Sequence, residues 1–292
     1  MTSSSSASFS SDSAAPASAE LLELARSIAI DAAELVARRR ADGVTVAATK
    51  SSLEDVVTFA DRESEDFIRA RLAEARPEDG FLGEESEATP GSSGITWVVD
   101  PIDGTVNYLY DIPAYAVSIA AVTGSTDPAE WTALAGVVVN PVLGEVFSAS
   151  AGGGAFLDSP RAAHRRLAVN EDVALAQALV GTGFSYSAEV RVKQGQVVTG
   201  LVGKVRDIRR AGSAALDLCS VALGRLDAYA ERGLNPWDHA AGALICREAG
   251  ARVGGFGDAK ESGVMTLAAA PALAAELEPL VRELHRNADL PL

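Results

Sequence analysis

From Glu20 to about Arg40 the apolar residues Leu21, Leu24, Ala25, Ile28, Leu35 and Val36 recur mostly at helical spacing, which predicts an amphipathic helix. Arg38, Arg39 and Arg40 suit its negative C-terminal end. A polar stretch around Thr49, Lys50, Ser51 and Ser52 follows, so Lys50 is expected on a loop or beside a short hairpin. The helical period returns from Asp61 to about Ala75, with Phe67, Ile68 and Leu72 on one face, and Pro77 stops it. Thr96 to Val99 is short, β-branched and apolar, the pattern of a strand buried on both faces. Ala116 to Val122, Leu134 to Val139 and Glu145 to Ala149 read as further strands, separated by turn residues such as Asn140, Pro141 and Gly144. The glycines at 152, 153 and 154 read as a turn, because they lack the spacing and lysine of a phosphate-cradling loop.

After about Leu157 strands alternate with helices. Ala178 to Thr182, Ala228 to Glu231 and Met265 to Ala269 are the expected strands; Ala214 to Leu223, Asp238 to Glu248 and Ala272 to Leu284 are the expected helices. The pattern predicts two α/β halves, residues 19–156 and 157–292, packed as one catalytic unit without a linker. Residues 1–18 are Ser- and Ala-rich, without the basic start or apolar segment of a secretory signal, and read as a disordered tail.

Composition narrows the functional classes. With 25 Lys+Arg against 40 Asp+Glu, the chain of 292 residues carries a formal charge of −15. Such an excess of acid repels phosphate backbones and anionic lipid headgroups, so neither nucleic acid nor a membrane is the expected partner. No run of about 18 apolar residues exists to span a bilayer. The two cysteines, Cys219 and Cys246, lie in apolar helical segments and read as buried thiols of a cytoplasmic protein. Aromatic residues are only 5%, which points to a core of small and branched aliphatics.

The chemistry-bearing residues are acidic. Asp100-Pro101-Ile102-Asp103-Gly104-Thr105 follows the strand ending at Val99, where two carboxylates can converge on a hard cation while Pro and Gly hold the turn. A capping aspartate in a solvated turn has the same local signature. Glu84 and Glu85 form an acidic loop after Gly83, and Asp61 and Asp238 each open a predicted helix, a position the helix dipole favours for an acid. His239 lies beside Asp238 but points elsewhere on a helix, and His164 and His285 read as surface residues.

Gly83-Glu84-Glu85-Ser86, then Trp97-Val98-Val99-Asp100-Pro101-Ile102-Asp103-Gly104-Thr105-Val106-Asn107-Tyr108, then Pro236-Trp237-Asp238-His239-Ala240-Ala241-Gly242 are similar to the motifs of the inositol monophosphatase family of metal-dependent, lithium-sensitive phosphatases. The resemblance runs from about Leu21 to Leu284. It implies an α/β fold layered α-β-α-β-α, like that of inositol monophosphatase and fructose-1,6-bisphosphatase, with a site between the halves. It further implies that Glu84, Asp100 and the Ile102 carbonyl hold one Mg²⁺ and that Asp100, Asp103 and Asp238 hold a second, with a third near Glu84 in some members. Oxygen donors of this kind suit an octahedral ion that keeps several waters.

The implied reaction is attack of a metal-activated water on phosphorus, in line with the departing alcohol oxygen. By the same resemblance Glu84 and Thr105 position the water and Asp61 orients Thr105; Gly104 and Thr105, where they begin a short helix, would offer backbone N–H groups to the phosphate. Lys50 matches a loop lysine of the family and reads equally well as a solvated surface lysine. No cysteine or histidine occupies a nucleophile position, so no covalent phosphoenzyme is expected.

For the substrate, Ala214 and Glu231 match positions that face the polyol ring in inositol monophosphatases, although Glu231 alone could be a solvated strand-end acid. Val106-Asn107-Tyr108 is closer to the inositol enzymes than to histidinol-phosphate phosphatases, and Val106 departs from the usual Thr. The expectation is a phosphatase of myo-inositol 1-phosphate, and the resemblance implies a homodimer. The alternatives are a histidinol-phosphate, sugar or nucleotide phosphatase of the same family, and a structural cation-binding protein. Gly181-Thr182-Gly183-Phe184, with Arg191 and Gln194, resembles a segment of bacterial members and carries no assigned role.

Overall fold

The computed structural model describes residues 14–44, 46–49 and 56–292. Helix α1 (Ala14–Asp42) and the antiparallel pair β1 (Val46–Thr49) and β2 (Val56–Thr58) lead into α2 (Phe59–Ala75). Lys50 lies outside the described residues. Helix α1 begins earlier than the sequence pattern indicated, so residues 14–18 of the expected tail are helical and Ser18 is buried. Ala14, Ala15, Ala17 and Ala19 are the strongest helix formers, and Pro16 falls in the first turn, where its missing N–H costs nothing.

Seven strands then form one sheet in the order β3 (Gly80–Gly83), β4 (Ile95–Asp103), β5 (Ala116–Thr123), β6 (Thr132–Asn140), β7 (Glu145–Ser150), β8 (Gly154–Ser159) and β9 (Ala162–Arg166), with helix α3 (Thr105–Leu109) between β4 and β5. Only β3 and β4 run parallel. The boundary expected at residues 156 and 157 is therefore displaced: β8 crosses it and the first sheet continues to Arg166. The last strand escaped the sequence reading because it is a polar edge, Ala162-Ala163-His164-Arg165-Arg166, without the apolar alternation of a packed strand.

The remainder builds a five-stranded sheet in the order β11-β10-β12-β14-β13, from β10 (Leu179–Gly181), β11 (Asp207–Arg209), β12 (Ala228–Glu231), β13 (Arg252–Gly254) and β14 (Thr266–Ala269). Its helices are α4 (Ala188–Val202), α5 (Ala214–Leu223), α6 (Pro236–Glu248) and α7 (Pro271–Asn287).

Alternation along the strands explains the layering. In β4, Val99 faces Ile28 and Ile68 of α1 and α2, while its neighbour Val98 joins the opposite core with α5 and α6. In the second sheet Tyr229 and Ala268 face α5 and α6, and Val180, Ala230 and Leu267 face α7 residues such as Leu273 and Leu277. The result is five layers, α-β-α-β-α, with α5 and α6 in the middle. Cys219 and Cys246 are buried free thiols. His285, expected on the surface, is buried instead: its Nδ1 lies 2.8 Å from the Val281 carbonyl oxygen and its ring meets Phe256 edge-on.

Candidate active site

Asp100 and Asp103 converge through an irregularity in β4. Residues three apart on a regular strand point to opposite faces. Here Asp100 pairs with Ser118 and Asp103 with Ala116, so three steps on β4 match two on β5, and the extra residue restores a common face. Pro101 brings no N–H to the ladder at that point. Asp100 is buried, and its Oδ1 accepts the Ile102 N–H at 3.0 Å. Gly104 follows with φ 95, where a Cβ would meet the Ala114 carbonyl oxygen at 2.9 Å, and it turns the chain into α3.

The second half reaches this loop through α5. Ser213 caps α5, accepting the Leu216 N–H at 3.3 Å. Its hydroxyl donates to Asp103 Oδ2 at 2.5 Å, and the Ala215 N–H reaches the same oxygen at 2.7 Å. Asn107 bridges the halves as well, donating to the carbonyls of Ala114 at 2.7 Å and Ala211 at 2.8 Å. Asp238 sits in the first turn of α6, where its Oδ2 accepts the Asn235 N–H at 2.7 Å.

Glu84, Asp100, Asp103, Thr105, Ala214, Glu231 and Asp238, with Ile102 and Gly104, line one cleft of about 440 Å³ between the two sheets. Asp61 stands behind it, buried. Its Oδ2 accepts the Thr58 N–H at 2.8 Å in a capping box, and its Oδ1 lies 3.1 Å from Thr105 Oγ1. The Ile102 carbonyl oxygen is 3.2 Å from the same hydroxyl, whose single proton serves one acceptor at a time. Of the residues expected at the site, only Lys50 is not described.

Burial and mutual repulsion dominate the electrostatics. Burial holds the Asp100 carboxyl well above the usual range, with Glu84, Asp103 and Asp238 pushing it further. Asp238 is raised by burial, then by Asp103 and Glu84. Burial lifts Asp103 to about 6 against the pull of the Ser213 hydroxyl, and Asp61 to about 7 against the Thr58 hydroxyl. Among the described residues no three His, Cys, Asp or Glu side chains close into a ready-made metal cage. The donors are hard oxygens crowded around an open cleft, and like charges so placed favour either protons or a cation. They fit a cation that fills its coordination shell with water.

Several contributors were not singled out by sequence reasoning. Thr58, three residues before Asp61, carries a readable capping signature, as does Ser213 before an apolar helix. Burial lifts the Glu231 carboxyl to about 7, against the pull of the Tyr229 hydroxyl and of Arg210, which lines the cleft and which no local pattern marks.

A sequence profile of the inositol monophosphatase family matches residues 17–288. Inositol-1-monophosphatase SuhB of Mycobacterium tuberculosis is 47% identical over 283 residues, covering 89% of this chain and 92% of that protein. The solved structure of Mycobacterium tuberculosis SuhB matches with a TM-score of 0.77 at 45% identity, covering 91% of this chain and 97% of that one. Nus factor SuhB of Pseudomonas aeruginosa is 40% identical over 245 residues, covering 81% of this chain and 85% of that protein.

Proposed function

Because this chain belongs to the inositol monophosphatase family of phosphatases, we propose that it hydrolyses myo-inositol 1-phosphate to inositol and phosphate, with Mg²⁺ as its cofactor. The observation that carries this reading is the meeting of Glu84, Asp100, Asp103 and Asp238 on one cleft, backed by the Asp61–Thr105 pair. A merely structural cation site has no use for an oriented hydroxyl beside its carboxylates.

Glu84, Asp100, Asp103, Asp238 and the Ile102 carbonyl would hold Mg²⁺, which supplies positive charge for the phosphate and the leaving oxygen and makes water more acidic. Thr105 Oγ1, donating to Asp61 Oδ1, turns its lone pairs towards the cleft to accept a hydrogen from the attacking water. Glu84 accepts the other hydrogen and draws off the proton as the water oxygen bonds to phosphorus in line with the ester oxygen, whose bond to phosphorus breaks and which takes up a proton from solvent to leave as the inositol hydroxyl. The N–H groups of Gly104 and Thr105 stand at the start of α3, where a helix provides no backbone acceptor, and would bind phosphate oxygens. On the polyol side, Glu231 accepts hydrogen bonds from ring hydroxyls and the backbone at Ala214 borders the ring. The partner is thus a small phosphomonoester, and the acidic surface disfavours direct contact with nucleic acid. A homodimer located in the cytoplasm completes the reading.

Purified protein with Mg²⁺ should release phosphate from myo-inositol 1-phosphate, and Asp100→Asn or chelation with EDTA should abolish it. Asp61→Asn should lower kcat about a hundredfold with little change in KM, since it acts through Thr105. No turnover on any of a panel of phosphomonoesters would sink the enzyme reading. A kcat/KM higher for histidinol phosphate than for inositol 1-phosphate would replace the substrate.

A further inference from the structure

Glu231 is held by groups that the proposed reaction does not use. Tyr229 lies two residues earlier on β12 and therefore on the same face, and its phenol donates to the Glu231 carboxylate. Thr182, just after β10, donates its hydroxyl to the Ala230 carbonyl at 2.8 Å. Gln194 of α4 is buried, and its Nε2 donates to the Arg232 carbonyl at 3.2 Å while its Oε1 accepts the Ser185 N–H at 2.8 Å. Those two partners determine which end of the amide is which. The backbone on both sides of Glu231 is thus tied to the segment 182–194. Gly183 completes the arrangement: a Cβ built there would overlap the Glu231 carboxylate, so only a glycine admits the carboxylate in this orientation.

A free glutamate has three rotatable side-chain torsions, and a hydroxyl-binding carboxylate gains selectivity when that freedom is removed beforehand. A carboxylate accepts at about four lone-pair sites, so the bond from Tyr229 leaves capacity for ring hydroxyls. We propose that Tyr229, Gln194 and Gly183 are positioning residues that fix the Glu231 carboxylate, and that this fixed carboxylate is what separates polyol phosphates from phosphate esters without vicinal hydroxyls. The inference rests on Glu231 being the polyol contact. It gives a role to the Gly181-Thr182-Gly183-Phe184 segment and to Gln194.

The test compares kcat/KM for myo-inositol 1-phosphate and p-nitrophenyl phosphate in the full-length Mg²⁺-loaded protein. Tyr229→Phe and Gln194→Ala should each reduce the ratio of the two about tenfold, through KM for the inositol ester, while p-nitrophenyl phosphate turnover stays within about twofold of wild type. Gly183→Ala should reduce the ratio at least as much. Gln194→Glu, which keeps the acceptor for Ser185 and loses the donor to Arg232, should resemble Gln194→Ala. A melting temperature within a few degrees of wild type serves as the measure that each variant is folded. Equal losses on both substrates, or an unchanged ratio, would overturn the proposal. Glu231→Gln separates the two levels of the argument. If it lowers the ratio and the three positioning variants do not, only this inference fails. If it leaves the ratio unchanged, the polyol contact itself is wrong and this inference falls with it.

Discussion

Asp217, in the first turn of α5, is buried with no hydrogen-bonding cation among the described residues, and burial pushes its carboxyl up to about 8 from an ordinary value of 3.8, with Glu231 and then Asp103 adding to the effect and Arg210 opposing it. The unfolded chain releases this proton near 3.8, whereas the folded protein keeps it to about 8. Between those values the folded state binds more protons, so the contribution of Asp217 to stability is complete in acid and falls as pH rises through the window. Asparagine has the same shape and no charge to desolvate. Asp217→Asn should therefore leave Tm unchanged near pH 4 and raise it progressively towards pH 8, where the gain is on the order of a few kcal/mol in the absence of added Mg²⁺. A Tm difference that does not vary with pH would refute this account. The same physics raises Asp100 and Asp238, where the proposed function replaces protons with cations.

At the scale of elements, the site depends on how closely α5 and α6 approach the first sheet. Gly136 of β6 faces α6 so tightly that an added Cβ would meet the Ala241 Cα at 3.0 Å and its carbonyl oxygen at 3.1 Å. Helix α6 carries Asp238, so the close approach brings that carboxylate towards β4. Gly136→Val should cost about 1–3 kcal/mol through overpacking and weaken activity by displacing α6. A wild-type melting temperature in that variant would show that the contact is softer than the geometry implies. The main elements were legible because each buries a face with a clear period: β4 to β7, β12, α5 and α6 all follow their apolar patterns. Strands β9 and β11 were not, because exposed edge strands are stabilised by pairing and bear polar side chains such as Arg165, Arg166 and Asp207. The pairing of Asp100 with Asp103 was visible as a motif, and the bulge that brings them to one face was not.

For the molecule as a whole, the middle layer makes the two halves interdependent. Leu218, Cys219, Ile245 and Cys246 of α5 and α6 share one buried cluster with Val98, Val138 and Phe147 of the first sheet and Tyr229 and Ala268 of the second. Arg225, in the turn after α5, donates to Glu145 of β7 at 2.8 Å across the same boundary. Neither sheet keeps its inner face covered if the other leaves. Hydrogen exchange should therefore give the same opening free energy for amides of β5 and β14. Leu218→Ala should lower both together by about 2–5 kcal/mol, and a second sheet that opens well before the first would contradict this. No helix among the described residues is long and apolar enough to cross a membrane. The charge of −15 belongs largely to the surface, and only the few carboxylates on the cleft bear on the chemistry.

The sequence by itself determined where the candidate residues stand: Glu84, Asp100, Asp103, Thr105 and Asp238 lie in short motifs whose turn and cap residues are local, and local conformation follows from steric and hydrogen-bonding rules within a few residues. The pattern of strands and helices also indicated two packed α/β halves, and the five-layer class followed from the resemblance to the inositol monophosphatase family. Only the tertiary structure decided how those residues meet. Asp61 and Thr105 are 44 residues apart, Asp103 and Ser213 are 110 apart, and each contact exists because packed helices bring distant backbone to within a hydrogen bond. The orientation of Glu231 is decided in the same way, by a tyrosine, a glutamine and the absence of a side chain at Gly183. Such contacts have no period along the chain, because they are set by where whole elements come to rest.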